Sequence, residues 1–102
     1  MTMNELCNEY MDYSRDNYKR NTNLSRFSLI NNYIVPGLGD MELNNISYKE
    51  IDAFFIGISM SGLKQNTLFG IYACLLSIFK YALCKKYLSV SPMNYSQRVD
   101  YE

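Results

Sequence analysis

The 102-residue chain carries ten basic and ten acidic side chains, so its zero net charge points to no partner, and its length suits one domain. Hydrophobic residues make up 48%, with ten tyrosines and five phenylalanines, enough to bury a core and to exclude a disordered chain. The absence of histidine excludes Ser-His-Asp and Cys-His nucleophiles, histidine general bases and most zinc sites.

Residues 1–10 hold two glutamates and no base, which is not a signal peptide. No run of about 18 apolar residues is present, so no membrane span is expected. Cys7, Cys74 and Cys84 are odd in number and far apart. They read as reduced thiols packed as small hydrophobes in a cytoplasmic protein, not as a disulfide framework or a metal site. No cofactor and no small-molecule substrate is expected.

Four helices are predicted in chain order, and no alternating strand. The first covers residues 3–18. Thr2 and Glu5 form a capping box at its start, with Leu6, Tyr10 and Tyr13 on the inner face. A polar, basic connector follows, in which Asn21 or Thr22 is expected to cap a second helix carrying Phe27, Ile30 and Ile34. That helix is expected to end by Val35, because Pro36 disfavours helical geometry in the residue before it. Gly37 and Gly39 then suggest a turn, and Leu43 and Ile46 plug the core. Ser47 with Glu50 opens a third helix that runs to about Met60, with Ile51, Phe54, Phe55 and Ile58 inside and Gly62 ending it in a left-handed turn. The last helix is the longest, residues 65–87, with Leu68, Ile71, Leu75, Ile78, Phe79 and Ala82 as its apolar stripe. Pro92 marks the exit from a domain spanning 1–93, and 94–102 reads as a linker or tail.

Zero net charge hides a segregation. The first sixteen residues hold four acids against Arg15, and residues 40–52 hold four acids against Lys49. Between Asn17 and Gly39 there is no acid, but there are Lys19, Arg20 and Arg26. From Gly57 to Asn94 there is again no acid, but there are Lys64, Lys80, Lys85 and Lys86. Helices two and four are therefore basic, the footprint expected for phosphate binding. Their starts carry Lys19, Arg20, Asn21, Thr22, Asn23, Ser25 and Arg26, and Lys64, Gln65, Asn66 and Thr67. Those residue types reach phosphates and base edges, at helix ends whose free N–H groups attract anions. On helix four, Asn66, Gly70, Ala73, Ser77 and Lys80 form a narrow face able to approach a groove. The same asparagines and threonines also serve as ordinary caps, and both readings stay open here.

The order of features resembles the core-binding domain of phage integrases, the N-terminal SAM-like half of tyrosine recombinases. The matching pieces are Lys19, Arg20 and Thr22; Ile34-Val35-Pro36-Gly37-Leu38-Gly39; Leu43, Ile46 and Ile51; Gly62, Leu63 and Thr67; Ile78, Phe79, Tyr81 and Ala82; and Val90-Ser91-Pro92. Lys64 replaces the family's usual serine cap and Ser91 its usual asparagine. The resemblance implies a single all-α, four-helix SAM-like bundle with a long C-terminal helix, whose second and fourth helices face the major groove of double-stranded DNA. It also implies other recombinase protomers as partners, with catalysis in a separate domain. This chain lacks the family's His-x-x-Arg pairing, so the isolated chain is expected neither to cut nor to join DNA. The alternative is a helical protein-interaction module without nucleic-acid binding. It would work through its acidic helices and the apolar Leu88, Val90 and Met93.

Overall fold

Helix α1 (Met3–Asn17) begins where the capping pattern places it. Thr2 is extended, its hydroxyl accepts from the Glu5 amide at 3.3 Å, and its own amide donates to the Glu5 carboxylate at 2.9 Å. The strand-like start is anchored by Met3 N–H donating to the Met41 carbonyl at 2.8 Å. Met3, Leu6, Cys7, Tyr10 and Met11 are buried, as is Ser14. Tyr13, expected inside, is 39% exposed. It lies at the edge of the buried face and stacks on Tyr81 at 4.9 Å instead of entering the core. The computed structural model describes residues 1–89, so the expected Pro92 exit and the tail 94–102 lie outside the described residues.

Helix α2 (Arg20–Leu29) does not stop before Pro36. It loosens into a π-helical turn, Ile30–Ile34, and closes through Val35–Leu38. The Val35 N–H donates to the Ile30 carbonyl, five residues back. A proline ring presses on the carbonyl four residues before it in a regular helix, and this wider turn relieves the crowding. The expected stop at Val35 and the turn at Gly37 are therefore corrected: the Gly39 N–H still bonds to the Val35 carbonyl at 2.8 Å, and the chain turns at Gly39 and Asp40. Gly37 sits inside the last helical turn, where a Cβ would meet the Phe54 ring at 2.6 Å. Its missing side chain is what lets Phe54 lie against the backbone.

A 3₁₀ turn, Leu43–Asn45, delivers Leu43 and Ile46 to the core. Helix α3 (Tyr48–Ser59) opens with the Ser47–Glu50 capping box and buries Ile51, Phe54 and Phe55. Gly62, at φ +82°, turns the chain into helix α4 (Gln65–Cys84). Ile71, Cys74, Leu75, Ile78, Phe79, Tyr81 and Ala82 give α4 its buried side, while Leu68 and Ile58, predicted inside, are half-buried. Helix α4 is three residues shorter than predicted. Lys86 adopts φ 64°, its N–H bonds to the Leu83 carbonyl at 3.0 Å, and the Tyr87 N–H bonds to the Ala82 carbonyl at 2.9 Å. That pair of bonds is a Schellman ending, with lysine in the position glycine usually takes.

The protein is all-α, and among the described residues four helices enclose one core. Among the described residues there is no β-strand, only an isolated bridge between Thr2 and Glu42. By length and composition α4 is apolar enough to cross a membrane; here its apolar side is the centre of the bundle. Cys7 and Cys74 are buried as expected, and burial pushes the Cys7 thiol up to about 12. Cys84 departs from the expectation and is exposed, because it falls in the last turn of α4 on the outer side.

Candidate nucleic-acid interface

Neither α2, followed through to Leu38, nor α4 carries an aspartate or glutamate. The two helices run side by side in opposite directions. Leu29 Cδ1 lies 3.0 Å from where a Cβ on Gly70 would be, and the Tyr10 hydroxyl, which accepts from Arg26 at 2.7 Å, also lies beside Ser77. Progress along α2 therefore matches regress along α4. The start of α2 and the start of α4 lie at opposite ends of the pair, roughly 30 Å apart along a 20-residue helix. The lysines at the two helix starts do not converge on one point. They bracket one acid-free face.

At the start of α2, the N-cap is Lys19, and no side chain caps the helix. The expectation that Asn21 or Thr22 caps it is corrected. Only Tyr18 and Lys19 separate α1 from α2, so α2 starts earlier than its polar residues suggest, and its register turns Asn23 inward. Asn23 is 6% exposed. Its Nδ2 donates to the Ser14 and Tyr18 carbonyls at 3.0 and 3.3 Å, and its Oδ1 accepts from the Ser14 hydroxyl at 2.7 Å. Asn23 therefore leaves the predicted set and becomes the tie between α1 and α2. Arg26 is half committed. Its Nη1 donates to the Tyr10 hydroxyl at 2.7 Å, and its guanidinium stacks 4.7 Å from the Tyr18 ring centre. Lys19, Arg20, Asn21 and Ser25 are exposed, and Thr22 is half-buried.

At the start of α4, Lys64 is the N-cap and again no side chain caps the helix. Gln65 and Asn66 are exposed, Thr67 is half-buried, and Lys80 is exposed further along the helix. The narrow face predicted on this helix splits. Gly70 turns towards Leu29 of α2 and Ser77 towards Tyr10 of α1, whereas Asn66, Ala73 and Lys80 stay exposed. On α2, Asn21, Ser25 and Ser28 recur at helical spacing and are likewise exposed. Ser28 is absent from the sequence-predicted set. Its signal is its spacing, seven residues after Asn21 and three after Ser25, which the sequence already carries.

Sequence reasoning also misses a tyrosine cluster joining α1 to the end of α4. The Tyr81 and Tyr87 hydroxyls donate to the same Glu9 oxygen at 2.7 and 2.6 Å. These bonds hold the Glu9 carboxyl below its ordinary value. Burial, then the bond to Glu9, pushes Tyr81 up to about 12. Tyr10 is raised by burial and Tyr87 by its bond to Glu9. A phenol made harder to ionise is the reverse of an activated nucleophile. The Lys85 ammonium lies 5.8 Å from the Tyr81 ring centre, and Tyr10 meets that ring edge-on at 5.8 Å. Ten tyrosines are visible in the sequence, but not which of them meet.

The fold and the candidate face thus define an all-helical bundle domain with two adjacent acid-free helices. Residues 2–56, just over half the chain, match the family described as phage integrase, N-terminal SAM-like domain, and the chain belongs to that family. The structure is similar to the integrase-like domain from Bacillus cereus determined in solution by NMR. The TM-score is 0.85 at 14% sequence identity, over 96% of this chain and 89% of that one. At that identity the likeness shows the shared fold. No curated protein sequence matches the chain.

Proposed function

We propose that this chain is a DNA-binding module of a phage-type site-specific tyrosine recombinase, which contributes to clamping and positioning double-stranded DNA. The observation that carries the reading is the α2–α4 pair: two neighbouring helices without an acid, Lys19 and Arg20 at one end, Lys64 at the other and Lys80 between. Family membership supports it independently. Most of the binding energy would come from lysine and arginine displacing counterions from phosphates. Binding by this domain alone is therefore weak, on the order of micromolar or weaker at physiological salt, and falls steeply as salt rises. Asn21, Ser25, Ser28 and Asn66 supply hydrogen-bonding groups on the same face, suited to positioning on a backbone. Strand cleavage and rejoining would belong to another domain of the parent protein.

The test is a titration of the isotope-labelled chain with a short generic duplex at low salt, following backbone amides by NMR. Shifts are expected at Lys19–Arg26 and Lys64–Lys80, fading as salt rises. Replacing Lys19, Arg20 and Lys64 together with alanine should weaken binding and lower the salt slope by about one unit for each phosphate-binding cation removed. Absence of shifts everywhere at low salt would refute the reading.

A further inference from the structure

Away from the α2–α4 face, an open groove of about 560 Å³ runs between the end of α2 and helix α3. Pro36, Met41, Phe54 and Ile58 give it an apolar lining, and Glu50 stands in it. Gly57 is also part of the wall. It lies inside α3, where glycine is the poorest helix former after proline, yet a Cβ there would meet nothing within 4 Å. Internal packing therefore gives no reason for glycine at 57. Close approach from outside does. Ile56 on the same helix and Met60 at its C-cap are also 55% and 82% exposed.

Charge says what kind of partner fits. From residue 31 to residue 58 the chain carries Asp40, Glu42, Glu50 and Asp52 against Lys49 alone. Asp40 and Glu42 flank the groove residue Met41 in sequence, Glu42 being paired with the Met1 ammonium at 3.1 Å, and Glu50 lies within the lining, which contains no base. The α3 part of the wall extends from Glu50 to Ile58, roughly 12 Å of helix, about two turns. That length suits apolar anchors at i, i+4 and i+7 of a docked helix.

We infer that the groove between the end of α2 and α3 is a docking site for an amphipathic helix of another protein with apolar anchors and basic flanks. This does not rest on DNA binding, because it uses a different and oppositely charged face. The test uses the full chain and a probe peptide of about fourteen residues, four turns of leucine anchors with lysine elsewhere. A control peptide carries glutamate in place of lysine.

The lysine peptide should shift the amides of Gly37, Met41, Ala53 and Gly57, and the glutamate peptide should not. Gly57→Lys fills the close-approach point with a long cation at a site with open space, so it should fold. It should weaken the lysine peptide at least about tenfold, a difference easily read in Kd. Equal binding of both peptides, shifts confined to other faces, or unchanged binding by Gly57→Lys would overturn the assignment. So would groove shifts on concentrating the protein without peptide, which would identify a second copy as the occupant.

Discussion

Two kinds of helix start coexist in this domain. Helices α1 and α3 open with capping-box pairs, Thr2–Glu5 and Ser47–Glu50, whose glutamates accept from the N-cap amides and bring an acid to the first turn. Helices α2 and α4 open with lysine at the N-cap, no side-chain cap and no acid in the first turn. For stability alone the second arrangement is the worse one. A missing cap costs about 1 kcal/mol, and a cation beside the positive end of a helix dipole adds a few tenths more. Stability of the fold therefore gives no reason for lysine at the starts of α2 and α4. Uncapped N–H groups beside lysine are what an anion such as a DNA phosphate would complete.

The largest test of that division concerns Asn23, which by sequence belongs to the exposed start of α2 and by structure to the interior. Asn23→Leu removes the partner of the buried Ser14 hydroxyl and one of two donors to the Ser14 carbonyl, which keeps the Tyr18 N–H. Leaving the hydroxyl unpaired should cost about 1–3 kcal/mol in chemical denaturation. The salt slope of DNA binding should not change while the domain is folded. A variant of unaltered stability with reduced DNA affinity would reverse the assignment and return Asn23 to the interface.

The position of Asn23 shows what the sequence can and cannot reveal. The capping boxes are legible because each is a local circuit of residues three apart. The buried sides of α3 and α4 are legible because apolar spacing survives small errors in helix boundaries. The start of α2 is not, since its cap is lysine and its position is set by a two-residue link to α1. Taking Asn23 as part of a polar helix start hides that it lies four and seven residues before Phe27 and Ile30, and so on their inner side, whereas Ser28 falls well away from that side. The end of α2 is hidden for another reason: a π turn absorbs Pro36, and nothing local in Ile30–Ile34 announces it. The acid-free character of α2 and α4 is fully visible, but not that their starts lie at opposite ends, because antiparallel packing is a tertiary fact.

A second test contrasts the caps themselves. Thr2→Ala and Ser47→Ala should each destabilise the fold by about 1 kcal/mol and leave DNA binding untouched, since both sit on the acidic helices. Lys64→Ser should do the opposite. It supplies the missing cap and removes a cation from the dipole's positive end, so the fold should gain about 0.5–1 kcal/mol. Binding to a duplex should weaken, with a salt slope lower by about one unit. If Lys64→Ser is neutral or destabilising, the start of α4 is already satisfied within the fold and the contrast between the two kinds of helix collapses.

The smallest expected effect tests where the two kinds of helix are joined, at Glu9 of α1 and the phenols of Tyr81 and Tyr87 beyond it. Tyr81 is raised from 10 to about 12, so the neutral phenol is the form the fold favours. Its contribution to stability is complete below pH 10 and is lost as pH rises through about 12. Glu9 is lowered below 4.5, so its contribution is present above that pH and is lost as pH falls through the lowered value. Ultraviolet titration should therefore find a late-ionising tyrosine, and Glu9→Ala should bring it back towards 10 while the helix, whose Glu9 site is surface-facing, stays folded. Burial is the first cause of the Tyr81 shift and the bond to Glu9 the second, so the return should be partial. A full return would make the carboxylate the dominant cause. No return would mean that burial alone sets the shift, leaving the acidic and basic helices joined there by packing and not by the shared proton donors.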